Sequence, residues 1–329
     1  MQVTVRSFAK INIGLRIGQS RDDRFHELRT IYQTIALHDI LRIEVIKGQG
    51  IEIRCEDARV PLDSSNTCYK VIELAVSALK TRGRVVLEIE KRLPVQGGMG
   101  GASSNAVAAL LALERALKKQ IPASDKLRIA AEVGSDLPLF LIGGTVLGVG
   151  RGEEVYPAPD LPSLPCVIVT PDIAVSTPKA FADWDSSHEI TAEQYPETDI
   201  PQLTPRRPSD RMNEFSRAIS AWLSSLSGVP VIKGRGRAET PLLDLVRTGI
   251  ENDFEQVVFP QYPELREVKS VLKKSGADYA SLSGSGSATY GLFSSRAAAV
   301  KAASRLRKAG IPAVATTTLT RPQYWKKLF

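Results

Sequence analysis

Apolar and polar residues alternate in period two through "VTVRSF", "IEVIKG" and "IEIRCE", and again through "RVVLEIEKRLP", where Pro94 ends the run. That pattern predicts short, half-buried strands. Between the third and fourth, the period lengthens. Val71, Leu74, Ala75 and Ala78 recur at helical spacing in "NTCYKVIELAVSALKTRG", with Asn66 as the cap and Gly83 as the stop. After Pro94, Ala106, Leu110, Leu113 and Leu117 form one apolar face and predict an amphipathic helix. A shorter helix is expected over 124–133, capped by Ser124 and stopped by Gly134, followed by a turn and strand-like residues broken by glycines in "SDLPLFLIGGTVLGVGRGEEV".

The Pro-rich stretch "YPAPDLPSLP" marks a boundary near residue 160, and "CVIVTPD" reopens with a buried strand. Residues 184–240 are polar and rich in Pro, Ser and charge, interrupted by one predicted helix over 209–225. "KGRGRAET" within them reads as a long loop. Beyond lie a helix in two pieces ("NDFEQVVFPQYPELREVKSVLKKSG"), a strand, glycine loop and strand ("DYASLSGSGSATYGLF"), a helix ("SRAAAVKAASRLRKAG") and a last strand ("IPAVATTTL"). The elements lack the regular βαβ rhythm of a doubly wound sheet, so the expected class is α+β. Two domains are expected, 1–160 and 161–329, the second with a polar insertion at about 184–240.

Composition narrows the function classes. The chain of 329 residues is 43% hydrophobic and 24% charged, as soluble globular proteins are. No apolar run approaches the ~18 residues of a membrane span, and the opening "MQVTVRSFAKINIGL" has no apolar signal core. Three scattered cysteines, Cys55, Cys68 and Cys166, argue against a disulfide framework or a zinc cluster, and for a reducing cytoplasm. The net charge of +7 favours anionic partners. No basic block is interleaved with aromatics, which speaks against nucleic acid.

The segment "LPVQGGMGGASSNAVAALLALERAL" places Gly97, Gly98, Gly100, Gly101, Ser103 and Ser104 directly before a strong helix. Free N–H groups and partial positive charge at a helix start attract anions, and a glycine loop lets main chain approach a phosphate. A flexible turn with a serine cap is the plainer alternative. No Gly-Lys pair, G-x-G-x-x-G after a strand, H-R-D or D-F-G occurs, which excludes the familiar nucleotide loops and protein-kinase machinery. Asp136 in "GSDLP" is a candidate base or a helix cap. Lys10 in "FAKINIGL" is a charge partner for it or an edge lysine. His26 in "DRFHELRT" has no metal-ligand spacing around it.

Three stretches together resemble the signatures of the GHMP kinase family of small-molecule kinases: "FAKINIGLRI", "LPVQGGMGGASSNA" and "SLSGSGSATYGLF". "RFHELRTIYQTIALHD", "GSDLPLFLIGGTVLGVGRGEEV" and "VSTPKAF" narrow the resemblance to the branch whose substrate is a cytidyl diphosphate alcohol of isoprenoid-precursor synthesis. The likeness runs from the N-terminus to about residue 182 and resumes from about 250 to 317. It implies an N-terminal domain like the second domain of ribosomal protein S5, with a left-handed βαβ crossover, and a smaller C-terminal α/β sandwich. It implies ATP and Mg²⁺, with metal ligands unassigned beyond Asp136 and the serines. Asp136 would take the hydroxyl proton, and Lys10 would balance the charge. Asn12 and Thr177 would bind substrate, His26 would contact cytosine, and Phe25 and Phe181 would cover its two faces. The glycine loop would hold phosphate, Asn66 would lie near adenine, and Ser283–Ser287 would lie near the site.

The chain departs from the family at "DRFHEL", where "DGYHEL" is usual. Arg24 replaces a glycine suited to an unusual backbone angle, and Phe25 lacks the tyrosine hydroxyl. Residues 184–240 have no counterpart and read as surface elaboration, a lid or an oligomer contact, in a monomer or homodimer. A homoserine-like or mevalonate-like alcohol is the alternative substrate. A non-catalytic nucleotide or RNA binder is the alternative class, opposed by the presence of both Lys10 and Asp136.

Overall fold

The computed structural model describes residues 2–95, 97–193, 208–226 and 250–329. The chain divides into two compact units, and not by a single cut. The first unit takes Met1–Ile11, Tyr32–Ser163 and Thr316–Phe329; the second takes Asn12–Ile31 and Leu164–Ala315. A split at residue 160 therefore misassigns an N-terminal hairpin segment and the C-terminal end. Of the polar insertion, 194–207 and 227–240, including "KGRGRAET", lie outside the described residues.

The six-stranded sheet orders β3 (Gly50–Cys55), β4 (Arg84–Glu90), β2 (His26–Ile46), β5 (Thr145–Val149) and β6 (Glu154–Pro157), with β1 (Val3–Ser20) paired to β2. β1 and β2 are far longer than the alternating runs predicted. From Phe8 to Leu15 every residue of β1 is buried, the polar Lys10 and Asn12 with the alternating Ile11, Ile13 and Leu15, so the strand is covered on both faces. β4 does alternate, with Val85, Leu87 and Ile89 inward, and pairs antiparallel with β2 and parallel with β3. The parallel pair is bridged by α1 (Thr67–Ala78), a βαβ unit. Asn66 caps α1 as expected, its side chain accepting from the Cys68 amide. The helix stops before Gly83: Leu79 is its C-cap, and Lys80 turns left-handed at φ 46°.

α2 (Gly101–Leu117) is buried on all sides from Ser104 to Glu114, not amphipathic. Alanines fill the faces expected to be exposed, which lets the helix pass through the core shared by α1 and the sheet. α3 (Ala123–Val133) starts one residue before Ser124; Pro122 precedes it, and no side chain caps it. A helix absent from the sequence reading, Arg321–Leu328, returns to this unit and seats Tyr324 and Leu328 in its core.

In the second unit, β7 (Pro165–Val169), β8 (Tyr279–Leu282), β9 (Thr289–Leu292) and β10 (Ala313–Thr317) form a sheet in the order β10-β7-β9-β8. Helices Pro263–Lys274 and Arg296–Lys308 cover it through Val268, Leu272, Ala299, Ala303 and Leu306. A second cluster gathers Leu15 and Ile17 with Phe254, Val258 and the buried face of α5 (Thr177–Glu193). α5 runs well past residue 184, where the polar insertion was expected to begin, because Trp184 still faces that core. α6 (Pro208–Leu226) is pinned by Arg211, which joins Arg16 on the buried carboxylate of Asp253, each at 2.6 Å.

Candidate active site

Two groups of predicted site residues come together, one in each unit. In the first unit, Lys10 projects from β1 with only 3% of its surface exposed. Its Nζ lies 3.2 Å from Asp136 Oδ2. Such a buried ammonium needs a partner, and the carboxylate supplies it. Asp136 occupies the position before α4 (Leu137–Phe140), yet it makes no capping hydrogen bond. The cap reading of this residue is thereby excluded; its carboxylate turns to Lys10 and to Tyr32, whose hydroxyl donates to Oδ1 at 3.0 Å.

The glycine loop packs on the same lysine. The Lys10 amide donates to the Met99 carbonyl at 3.0 Å. Gly100 is left-handed at φ 68°, and a Cβ there would stand 3.0 Å from Phe140 Cζ and 3.1 Å from Lys10 Cγ. Only glycine permits both the angle and the approach. The loop and the start of α2 line a cavity of about 370 Å³, to which Gly97, Gly98, Gly100, Gly101 and Ser103 contribute.

Ser104 does not line this cavity. Its hydroxyl accepts from Ser7 Oγ at 2.7 Å and donates to the Phe8 carbonyl at 2.6 Å, so it fastens α2 to β1. Asn66 lines the cavity, but its side chain is committed at both ends, to the Cys68 amide and, through Nδ2, to the Pro61 carbonyl at 2.6 Å.

Sequence reasoning missed the cavity's other polar wall. Lys91 reaches the buried Asp39 Oδ2 at 2.5 Å, and Asn105 Nδ2 donates to that oxygen at 3.0 Å. The Arg92 and Leu93 amides complete the shell at Oδ1. Asn105 Oδ1 is buried and makes no hydrogen bond among the described residues. A buried carbonyl oxygen beside a cavity wants a donor, which a bound ligand or water can provide. Burial pushes the Cys68 thiol at this wall up to about 12. Among the described residues no cluster of three or more His, Cys, Asp or Glu side chains is arranged for a metal.

In the second unit, His26 is 7% exposed and holds Asp185 Oδ1 through Nε2 at 2.6 Å. Its ring stacks on Phe181 at 4.8 Å and 10°, and Phe181 meets Phe254 edge-on at 4.9 Å. The imidazole therefore lies on one face of Phe181, a face the expected two-sided clamp left for a base. Asp185 was hidden within the stretch read as polar elaboration; its signal was its place one helical turn after Phe181.

Phe25 is 49% exposed at the tip of the β1–β2 hairpin. Arg24 takes a left-handed angle, φ 66°, that a glycine would adopt without strain, at a cost of about 1 kcal/mol. The turn is secured by the Phe25 carbonyl accepting from the Arg21 amide at 2.7 Å. Asn12 Nδ2 donates to Thr30 Oγ1 at 2.9 Å, and Thr177 Oγ1 lies 2.7 Å from Ser285 Oγ. Asn252 steadies that serine-glycine loop by donating to the Leu282 and Gly284 carbonyls.

Comparison with known proteins identifies the family. The GHMP kinases N terminal domain matches residues 66–144, and the GHMP kinases C terminal domain matches 239–312. A 4-diphosphocytidyl-2-C-methyl-D-erythritol kinase of Solibacter usitatus is 36% identical over 298 residues, covering 91% of this chain and 83% of the relative. The enzyme of the same name from Acaryochloris marina is 32% identical, covering 93% and 92%. A crystal structure of 4-(cytidine 5'-diphospho)-2C-methyl-D-erythritol kinase superposes with a TM-score of 0.69 at 29% identity, over 97% of this chain and 99% of that one. The chain belongs to the 4-diphosphocytidyl-2-C-methyl-D-erythritol kinase family of the GHMP kinases.

Proposed function

We propose that this protein transfers the γ-phosphoryl group of ATP to the 2-hydroxyl of 4-diphosphocytidyl-2-C-methyl-D-erythritol. The observation that carries the reading is the buried Lys10–Asp136 pair packed against a left-handed Gly100 at the entrance of α2. Asp136 accepts the proton of the acceptor hydroxyl. The freed oxygen bonds to the γ-phosphorus, the bond to the β,γ-bridging oxygen breaks, and ADP leaves with that electron pair. Lys10 faces Asp136 Oδ2 and favours the negative charge developing on the acceptor oxygen.

The amides of the 97–103 loop and the start of α2 hold phosphate, and Lys91 and the Asn105 Oδ1, without a partner among the described residues, fit a polar nucleotide beside them. Mg²⁺ would be carried mainly on the ATP phosphates, with Ser103 and Asp136 as the nearby oxygen donors, a set that fits a hard cation. When bound, it neutralises phosphate charge. In the second unit, Phe181 and Phe25 supply aromatic surface for cytosine, and His26, held by Asp185, its polar edge. Asn12 and Thr177 bind the remainder of the substrate.

The test is ADP release from ATP, Mg²⁺ and the cytidyl alcohol. Asp136→Asn lowers turnover by roughly 10³-fold in a protein that still binds ATP, as expected for loss of a general base. Turnover near the wild-type rate would overturn the assignment. A higher kcat/KM for mevalonate or homoserine than for the cytidyl alcohol would overturn the substrate.

A further inference from the structure

Asp136 carries two oxygens, and the mechanism above uses a cation on only one. Lys10 Nζ lies 3.2 Å from Oδ2. The Tyr32 hydroxyl donates to Oδ1 at 3.0 Å. We propose that Tyr32 is a positioning residue of the phosphoryl transfer, which fixes the plane of the Asp136 carboxylate for proton abstraction. The proposal rests on the reading of Asp136 as the base.

The chemistry favours a phenol in this role. A third of the Asp136 side chain is exposed, so one contact alone leaves the carboxylate free to turn about its last bond. A second donor on the other oxygen removes that freedom. A second cation would do the same but would bind the charged form more tightly and weaken the base. A neutral hydroxyl orients with less loss of basicity.

The fold also restrains the phenol itself. Tyr32 is buried in β2, and Lys10 Nζ sits 5.5 Å from its ring centroid. Gly152, at φ 99°, presses its main chain against the hydroxyl, so that a methyl group there would overlap Tyr32 Oη. The Tyr32 hydroxyl is thus confined between a glycine wall and the carboxylate it serves.

Tyr32→Phe keeps the ring and removes the donor. In the full-length protein, kcat falls roughly tenfold while KM for ATP and for the cytidyl alcohol stays within about twofold, the signature of a misaimed catalytic group. A kcat within about twofold of wild type, or a loss expressed in KM alone, overturns the proposal. Gly152→Ala provides the second test, because it displaces the hydroxyl and leaves Tyr32 in place. It lowers kcat as Tyr32→Phe does, and the double variant is no slower than the slower single one. Multiplying effects overturn the proposal. Asp136→Asn separates the two levels. An active Asp136→Asn enzyme removes the base itself; an inactive one beside an unimpaired Tyr32→Phe enzyme removes only the role of Tyr32.

Discussion

Lys10–Asp136 and His26–Asp185 are both pairs of a buried nitrogen and a more exposed carboxylate, but they are supported differently. Around Lys10 the support is largely main chain: the Met99 carbonyl, the Gly100 backbone against its stem and the Gly152 wall behind Tyr32. Around His26 it is side chain: Asp185 and Phe181 on consecutive turns of α5, and Phe254 beyond. Main-chain geometry changes only when the fold changes. A side-chain wall changes with single substitutions. The Lys10 group is therefore built for permanence, and the His26 group for adjustment.

The contrast is sharpest in the variants it ranks. Lys10→Ala should cause the largest loss, about 10²–10³-fold in kcat, since it removes a positioned cation and leaves Asp136 unpaired. Steady-state ADP release measures it, and an effect smaller than that of any second-unit variant breaks the comparison. Phe181→Ala should act next, raising KM for the cytidyl alcohol about 10- to 30-fold with KM for ATP unchanged, because it removes both aromatic surface and the ring on which His26 is seated. Phe25→Ala should cost less, because Phe181 also seats His26. Asp185→Asn should raise the same KM roughly threefold, since its carboxylate is partly exposed and solvent screens the pair.

The smallest contrast is expected in alkali, where the units should behave alike. Cys68 and Tyr32 in the first, and Tyr279 and Tyr290 in the second, are all raised chiefly by burial. A raised folded-state value means the unfolded chain gives up these protons first. Stability is complete below about pH 9, and falls as pH climbs toward 12. Thermal midpoints taken across that window should decline for both units, and a midpoint that rises would refute the burial argument.

The sequence made some of this legible because its signals are local. The Asn66 cap, the alternation of β4 and the glycine run before α2 each depend on neighbours in the chain. Lys10 and Asp136 were legible only by resemblance; Asp136 alone read more readily as a cap, and only tertiary structure shows the carboxylate turned elsewhere. Tyr32 and Asp39 were hidden because their partners lie far off in sequence: Asp136 for the one, Lys91 and Asn105 for the other. The burial of α2 escaped because alanine marks neither face. Ser104 fitted the phosphate loop by type, but its hydroxyl was already taken by β1.

The helix Arg321–Leu328 has a bearing on biogenesis. Tyr324 packs against Phe8 and donates to the Phe140 carbonyl at 2.7 Å, so residues near the start of the chain share a core with residues translated some three hundred codons later. The ribosome must therefore deliver everything through the second unit before the first can close. Until then the seat of Tyr324 stands open on the nascent chain, a greasy vacancy of the kind chaperones guard.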